Sequence, residues 1–148
     1  MEQAIELLDQ GKLEESQVIF EDLANKKSTK FAALMNLGII ATQQKNFISA
    51  ENYFTQAYKI KPNSAVVLNN LGIVNRHLKH HQKSEDFYLQ AIQQDASNAD
   101  YWFNLGILYE LYLGNNLKAL ESYNKYQSFL SKPDPKVNGW VKRLENEL

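Results

Sequence analysis

Three histidines, His77, His80 and His81, fall close together in the chain, and His77 and His81 stand one helical turn apart. Two imidazoles at that spacing can grip one side of a zinc ion, but a working site draws further ligands from cysteine or acidic residues. No cysteine is present and no acid pair lies beside them, so a solvated helix end and turn is the preferred reading of this cluster. Catalysis finds no better footing. The chain has no glycine-rich phosphate loop, no nucleophile motif and no convergent pair of carboxylates, and nothing in it calls for a cofactor. The remaining polar groups with an evident pattern are amides: Asn36, Asn70 and Asn104. A carboxamide offers both a donor and an acceptor, so it can pair with an extended peptide backbone whatever that peptide's sequence. The competing use of such residues is to cap or brace a neighbouring helix.

Composition narrows the classes. At 148 residues the chain can bury one core without disulfides or a structural metal. Its 44% hydrophobic and 22% charged residues are ordinary for a folded domain. The net charge of −1, with acids and lysines interleaved, lacks the basic face that nucleic acid requires. No apolar run approaches the length of about 18 residues that a membrane helix needs. The opening Met1-Glu2-Gln3-Ala4-Ile5-Glu6 has neither the basic start nor the apolar stretch of a signal peptide. Absence of cysteine excludes a disulfide framework but does not fix the redox compartment.

The elements that must position any site declare themselves by repetition. Asn36-Leu37-Gly38-Ile39 returns as Asn70-Leu71-Gly72-Ile73 and as Asn104-Leu105-Gly106-Ile107, each copy 34 residues after the last. Phe20, Phe54 and Tyr88 keep the same step, as do Ser16, Ala50 and Ser84. Within one period, Phe31, Leu34, Met35, Leu37, Ile39 and Ile40 follow helical spacing, and Phe47, Ala50, Phe54, Ala57 and Tyr58 do so again. The polar turn Gln44-Lys45-Asn46 separates them. Pro62 stops the second helix, and Asn63 or Ser64 can cap the next. The unit is a helix-turn-helix hairpin, which leaves apolar surface open on both sides and is stable only when stacked on neighbours. Gly38, Gly72 and Gly106 each occupy a helix interior, where glycine costs about 1 kcal/mol against alanine. The expected reason is close approach of the paired helix, with the small residues Ala50 and Ser84 meeting the glycine side.

The period resembles the tetratricopeptide repeat. Residues 31–64 carry Leu34, Leu37, Gly38, Ala41, Ala50, Phe54, Ala57 and Pro62 in that family's pattern. Residues 65–98 carry Leu68, Leu71, Gly72, Ser84, Tyr88 and Ala91, departing at Asn75 and at Ala96, which replaces the proline. Residues 99–132 carry Trp102, Leu105, Gly106 and Tyr109, after which Ala119 and Tyr123 fall one residue late, placing an insertion near Leu113–Asn116. Residues 1–30 fit a partial repeat through Leu13, Ser16 and Phe20, which suggests a first hairpin entered mid-frame and an upstream segment removed. Asp134-Pro135 opens a capping helix over 134–148, with Val137, Trp140, Val141, Leu144 and Leu148 on one face. Phe20, Phe54, Tyr88 and Tyr123 read as core within the hairpins, and Trp102 and Trp140 as packing the third hairpin against the cap. The resemblance implies an all-α, right-handed superhelix, an α-solenoid in a single domain.

It also implies a function. First helices of such hairpins line a concave groove where partners of the family usually lie. Carried over by frame, the groove residues are Met35, Asn36 and Ile39; Asn69, Asn70, Ile73 and Arg76; and Phe103, Asn104 and Ile107. The expected ligand is a protein or peptide held by a non-catalytic scaffold. Members that clamp a C-terminal carboxylate use lysines and an arginine at inward positions. Here those places hold Met35 or Ile39, Val66, and Asn70 or Asp100, which argues against such a clamp. The third hairpin and tail, from Asn104 to Leu113 and around Trp140-Val141-Lys142-Arg143-Leu144, also look like bacterial cell-envelope tetratricopeptide proteins of TonB-type transport or pilus and motility systems. That narrower likeness implies a periplasmic or outer-membrane-attached setting, and without it a cytoplasmic one. The alternative class is an assembly subunit that self-associates through an exposed repeat edge at the N-terminus.

Overall fold

A computed structural model describes all residues, Met1–Leu148, as helices joined by short turns, with no strand. In chain order they are α1 (Glu2–Asp9), α2 (Leu13–Ala24), α3 (Lys30–Gln43), α4 (Phe47–Ile60), α5 (Ala65–His77), α6 (His81–Gln94), α7 (Ala99–Leu111), α8 (Asn116–Ser128) and α9 (Pro135–Glu147). Each helix packs chiefly on its neighbours in sequence, the arrangement of an all-α solenoid of hairpins. The buried side chains accordingly form three successive clusters along the stack rather than one central core. The shortened α1 completes the first, partial hairpin. No helix is long and apolar enough to cross a membrane.

The helix ends follow local chemistry. Asn46, Asn98 and Asn115 each accept a backbone N–H of the turn they open, at 3.2, 3.1 and 3.1 Å. Asp134 accepts from Lys136 and Val137 N–H at 2.9 and 3.2 Å, with Pro135 behind it as the first helical residue. Four equivalent turn positions, Gly11, Lys45, Lys79 and Gly114, take left-handed φ angles of 75°, 58°, 63° and 62°. At three of these turns the next residue's N–H reaches back five places: Lys12 to Leu7, Asn46 to Ala41 and His80 to Asn75. Asn115 reaches six, to Tyr109. That is the inserted residue, accommodated wholly in the α7–α8 turn.

The glycine ladder has a different partner from the one the sequence suggested. A Cβ on Gly38 would stand 2.5 Å from the Phe54 ring, on Gly72 2.6 Å from Tyr88, and on Gly106 2.5 Å from Tyr123. Aromatic rings, not the small residues, press on the glycines, and all three rings are fully buried. The small residues do a second job. Ser84 Oγ donates to the Gly72 carbonyl at 2.7 Å, and Ser16 Oγ to the Ala4 carbonyl at 2.7 Å. Ala4 thus fills the glycine position of the partial hairpin, with Phe20 fully buried in the same cluster.

Candidate partner-binding groove

α3, α5 and α7 each bury one side against the second helices of the stack, and α9 reaches over the inner side of α7 through Trp140 and Arg143. On those inner sides Met35, Ile39, Ile73 and Ile107 are half-buried, neither core nor free. The asparagine ladder is not uniform. Asn36 Nδ2 donates to the Ala32 carbonyl and Asn70 Nδ2 to the Val66 carbonyl, both at 2.8 Å and both within their own helix. Their amide oxygens take no hydrogen bond from the chain. Asn104 instead donates across the repeat junction to Asn69 Oδ1 at 3.0 Å. The cause is the partner: Met35 stands one repeat before Asn69 and offers Asn70 nothing to bond, so Asn70 turns to its own backbone.

Phe103 is drawn away from the groove. Its ring lies 5.1 Å from Tyr126 and 6.1 Å from Trp140, tucked under the capping helix. Trp140 thus joins the third hairpin to the cap, as expected, but Trp102 does not. Its Nε1 donates to the Ala96 carbonyl at 2.8 Å on the outer surface, where it lines a cavity of about 270 Å³ with Leu89 and Tyr109. Leu148, expected on the buried face of α9, is exposed; Val137, Val141 and Leu144 carry that face with half-buried Trp140. Cavities sized for a small molecule lie on the outer side. None of them is lined by Met35, Asn36, Ile39, Asn70, Ile73 or Arg76.

The histidines separate into junction contacts. His77 stacks on Phe47 with centroids 4.3 Å apart and planes 2° from parallel. Burial there, and the neighbouring Arg76 charge, hold its pKa below the usual imidazole value. His81 sits 5.2 Å from the Tyr112 ring, and His80 Nδ1 meets Asn75 Oδ1 at 3.4 Å. Nowhere do three potential metal ligands converge.

Next to the glycine ladder, two hydroxyls went unread in the sequence. The second-helix aromatic is phenylalanine in the first hairpins, then Tyr88 and Tyr123. Tyr123 Oη donates to Glu110 at 2.7 Å, and Glu110 is also paired with Arg143 of α9. Burial, then that bond, pushes the Tyr123 pKa far above the ordinary phenol range. In the preceding repeat Arg76 takes the place of Glu110, and Tyr88 Oη is buried with no partner. Its pKa is pushed up to about 12 by burial, against the opposing pull of Arg76 and of the nearby Ser84 hydroxyl, which itself donates to the Gly72 carbonyl. The change from Phe to Tyr was the available signal.

The sequence model described as tetratricopeptide repeat matches residues 29–97. Residues 29–97 belong to the tetratricopeptide repeat family. Solved structures agree on the fold. MamA superposes with a TM-score of 0.85 at 19% identity, over 99% of this chain and 85% of that one. A tetratricopeptide repeat protein from Parabacteroides merdae matches with a TM-score of 0.81 at 18% identity, over 99% of this chain and 59% of its own. The first tetratricopeptide domain of Spaghetti (RPAP3), bound to the HSP90 peptide SRMEEVD, matches with a TM-score of 0.73 at 16% identity, over 82% of this chain and 98% of that one. No curated protein matches it in sequence. At these identities the likeness to other tetratricopeptide repeat structures is one of fold, and none of them bears on the cell-envelope setting.

Proposed function

We propose that this protein is a non-catalytic interaction scaffold that holds an extended segment of a partner protein along the inner faces of α3, α5 and α7. The observation that carries this reading is the pair Asn36 and Asn70. Both point one amide oxygen, unused by the chain, from a face that no other element covers, beside half-buried Met35, Ile39 and Ile73. An acceptor of that kind suits a peptide N–H, and the apolar strip suits alternate side chains of an extended chain. A tetratricopeptide domain of the same fold was solved bound to the HSP90 peptide SRMEEVD. The positions named above for a terminal-carboxylate clamp hold no basic residue here, so that ligand is not the one proposed.

The test is a pull-down of partners with the wild-type chain, followed by calorimetry on the captured partner. Asn70→Ala should weaken binding by about 1–3 kcal/mol, the cost of leaving a peptide group unpaired, with the helical melting curve unchanged. Normal binding by Asn70→Ala would place the site elsewhere. Size-exclusion chromatography with light scattering should return a monomer; a stable oligomer built on the α1 edge would favour the self-assembly reading instead.

A further inference from the structure

Four buried side-chain polar atoms in the chain lack any hydrogen-bond partner: Arg76 Nε, Arg76 Nη1, His81 Nδ1 and Tyr88 Oη. They belong to one place. The Arg76 guanidinium carbon lies 5.9 Å from the centre of the Tyr112 ring, and the His81 ring lies 5.2 Å from the same ring. Tyr88 lies on α6, the helix that His81 opens, and its ring presses on Gly72, one turn before Arg76 on α5. Three elements therefore converge here, α5, α6 and the end of α7, at the inner edge of the second and third repeats.

The cluster is one-sided. A guanidinium has only donors, a phenol donates one proton, and an imidazole can present an N–H. No acid of this chain pairs with them. Glu110 is held by Tyr123 and Arg143, and Glu85 by Tyr109 at 2.6 Å and Lys118 at 3.3 Å. Arg76 makes no ion pair and no side-chain hydrogen bond, although half-buried. A buried charge without a partner is unfavourable, and an oxyanion supplied from outside removes the penalty.

We propose that Arg76, Tyr88 and His81 form a pocket for a side-chain carboxylate, an aspartate or glutamate in the middle of the bound partner segment. This rests on the groove reading given above. The guanidinium offers paired N–H groups that match a carboxylate, and the Tyr88 hydroxyl and His81 imidazole supply further donors. One fixed cation calls for one negative charge. A phosphate dianion would leave excess negative charge that this single guanidinium does not balance. α5 is the middle of the three inner helices, so a chain lying along the groove passes this point rather than ending there, which favours a side chain over a terminus.

The probe is N-acetylglutamate N-methylamide, titrated into the full chain while the Arg76 Hε resonance is followed by NMR. Saturable shifts of Arg76 and of the Tyr112 ring are expected, with at least tenfold loss of affinity in Arg76→Gln and a smaller loss in Tyr88→Phe, which keeps the ring on Gly72. Arg76→Gln should also melt no lower than wild type without ligand, because it removes an unpaired buried cation. Equal shifts with the glutamine analogue, with N-acetylalanine through its terminal carboxylate, or with phosphate would overturn the assignment, as would unchanged binding by Arg76→Gln. The two readings fail separately. A partner that needs Asn70 while the glutamate probe ignores Arg76 removes only the carboxylate pocket. A probe bound at Arg76 together with a partner indifferent to Asn70 removes only the groove.

Discussion

The two faces of the first helices obey different rules. On the face turned into each hairpin, Leu37, Leu71 and Leu105 recur without change, as do Gly38, Gly72 and Gly106, and each glycine meets one aromatic ring. On the inner face the equivalent positions read Met35, Asn69 and Phe103, or Thr42, Arg76 and Glu110. The hairpin interior must satisfy the same packing problem in every repeat, at the close density of protein cores. The inner face answers to whatever the next repeat brings and to whatever binds there. Where packing dictates, the repeat is rigidly kept. Where it does not, each repeat has its own chemistry.

The harshest way to break this contrast is to hollow out the interior. Tyr123→Ala removes a fully buried ring, opens the space against Gly106 and takes the phenol hydrogen bond from Glu110, which keeps Arg143. It should cost about 3–5 kcal/mol in chemical denaturation. A loss below about 1 kcal/mol would show that the ladder is not the support of the stack. Next in size is Gly72→Ala. The added methyl would begin 2.6 Å from the Tyr88 ring, which is buried and cannot swing away. Overpacking of that kind costs about 1–3 kcal/mol, outweighing the better helix propensity of alanine. An unchanged or higher melting temperature would refute the account of the glycines.

Gly139 supplies the matching control. It too lies inside a helix, but a Cβ there meets nothing within 4 Å. Gly139→Ala should therefore stabilise the cap by up to about 1 kcal/mol, read as a raised melting temperature. Opposite signs at Gly72 and Gly139 separate a glycine required by a ring from one that merely weakens its helix.

Much of this was legible in the chain. The 34-residue step marks interior positions that the packing repeats, with Gly38, Gly72 and Gly106 each against an aromatic ring, and the late Ala119 and Tyr123 follow the longer α7–α8 turn. What escaped was set by junctions between repeats. Phe103 looked like a groove residue until Trp140 of α9 covered it, and Trp102 faces outward because Ala96 presents a carbonyl to its indole. Arg76 was counted with the groove, but its isolation depends on three elements at once: Tyr88 from α6, Tyr112 displaced by the insertion, and Glu110 already claimed by Arg143. A single repeat frame holds no record of which neighbour answers which donor.

The finest discrimination lies within the asparagine ladder itself. Asn104 ties α7 to α5 through Asn69, whereas Asn36 only folds back on its own helix. Asn104→Ala removes a bond across a repeat junction and strands the Asn69 amide, so it should cost about 0.5–1.5 kcal/mol. Asn36→Ala gives up a local bond that competes with the helix and gains alanine's propensity, so its stability should stay within about 0.5 kcal/mol of wild type. Urea titrations of the two variants, made under one condition, resolve that difference. If both lose stability equally, the first rung is structural as well, and its amide oxygen is no longer a candidate for a partner's backbone. If neither does, the contact between Asn69 and Asn104 adds nothing to the stack, and all the rungs are then free to serve the groove.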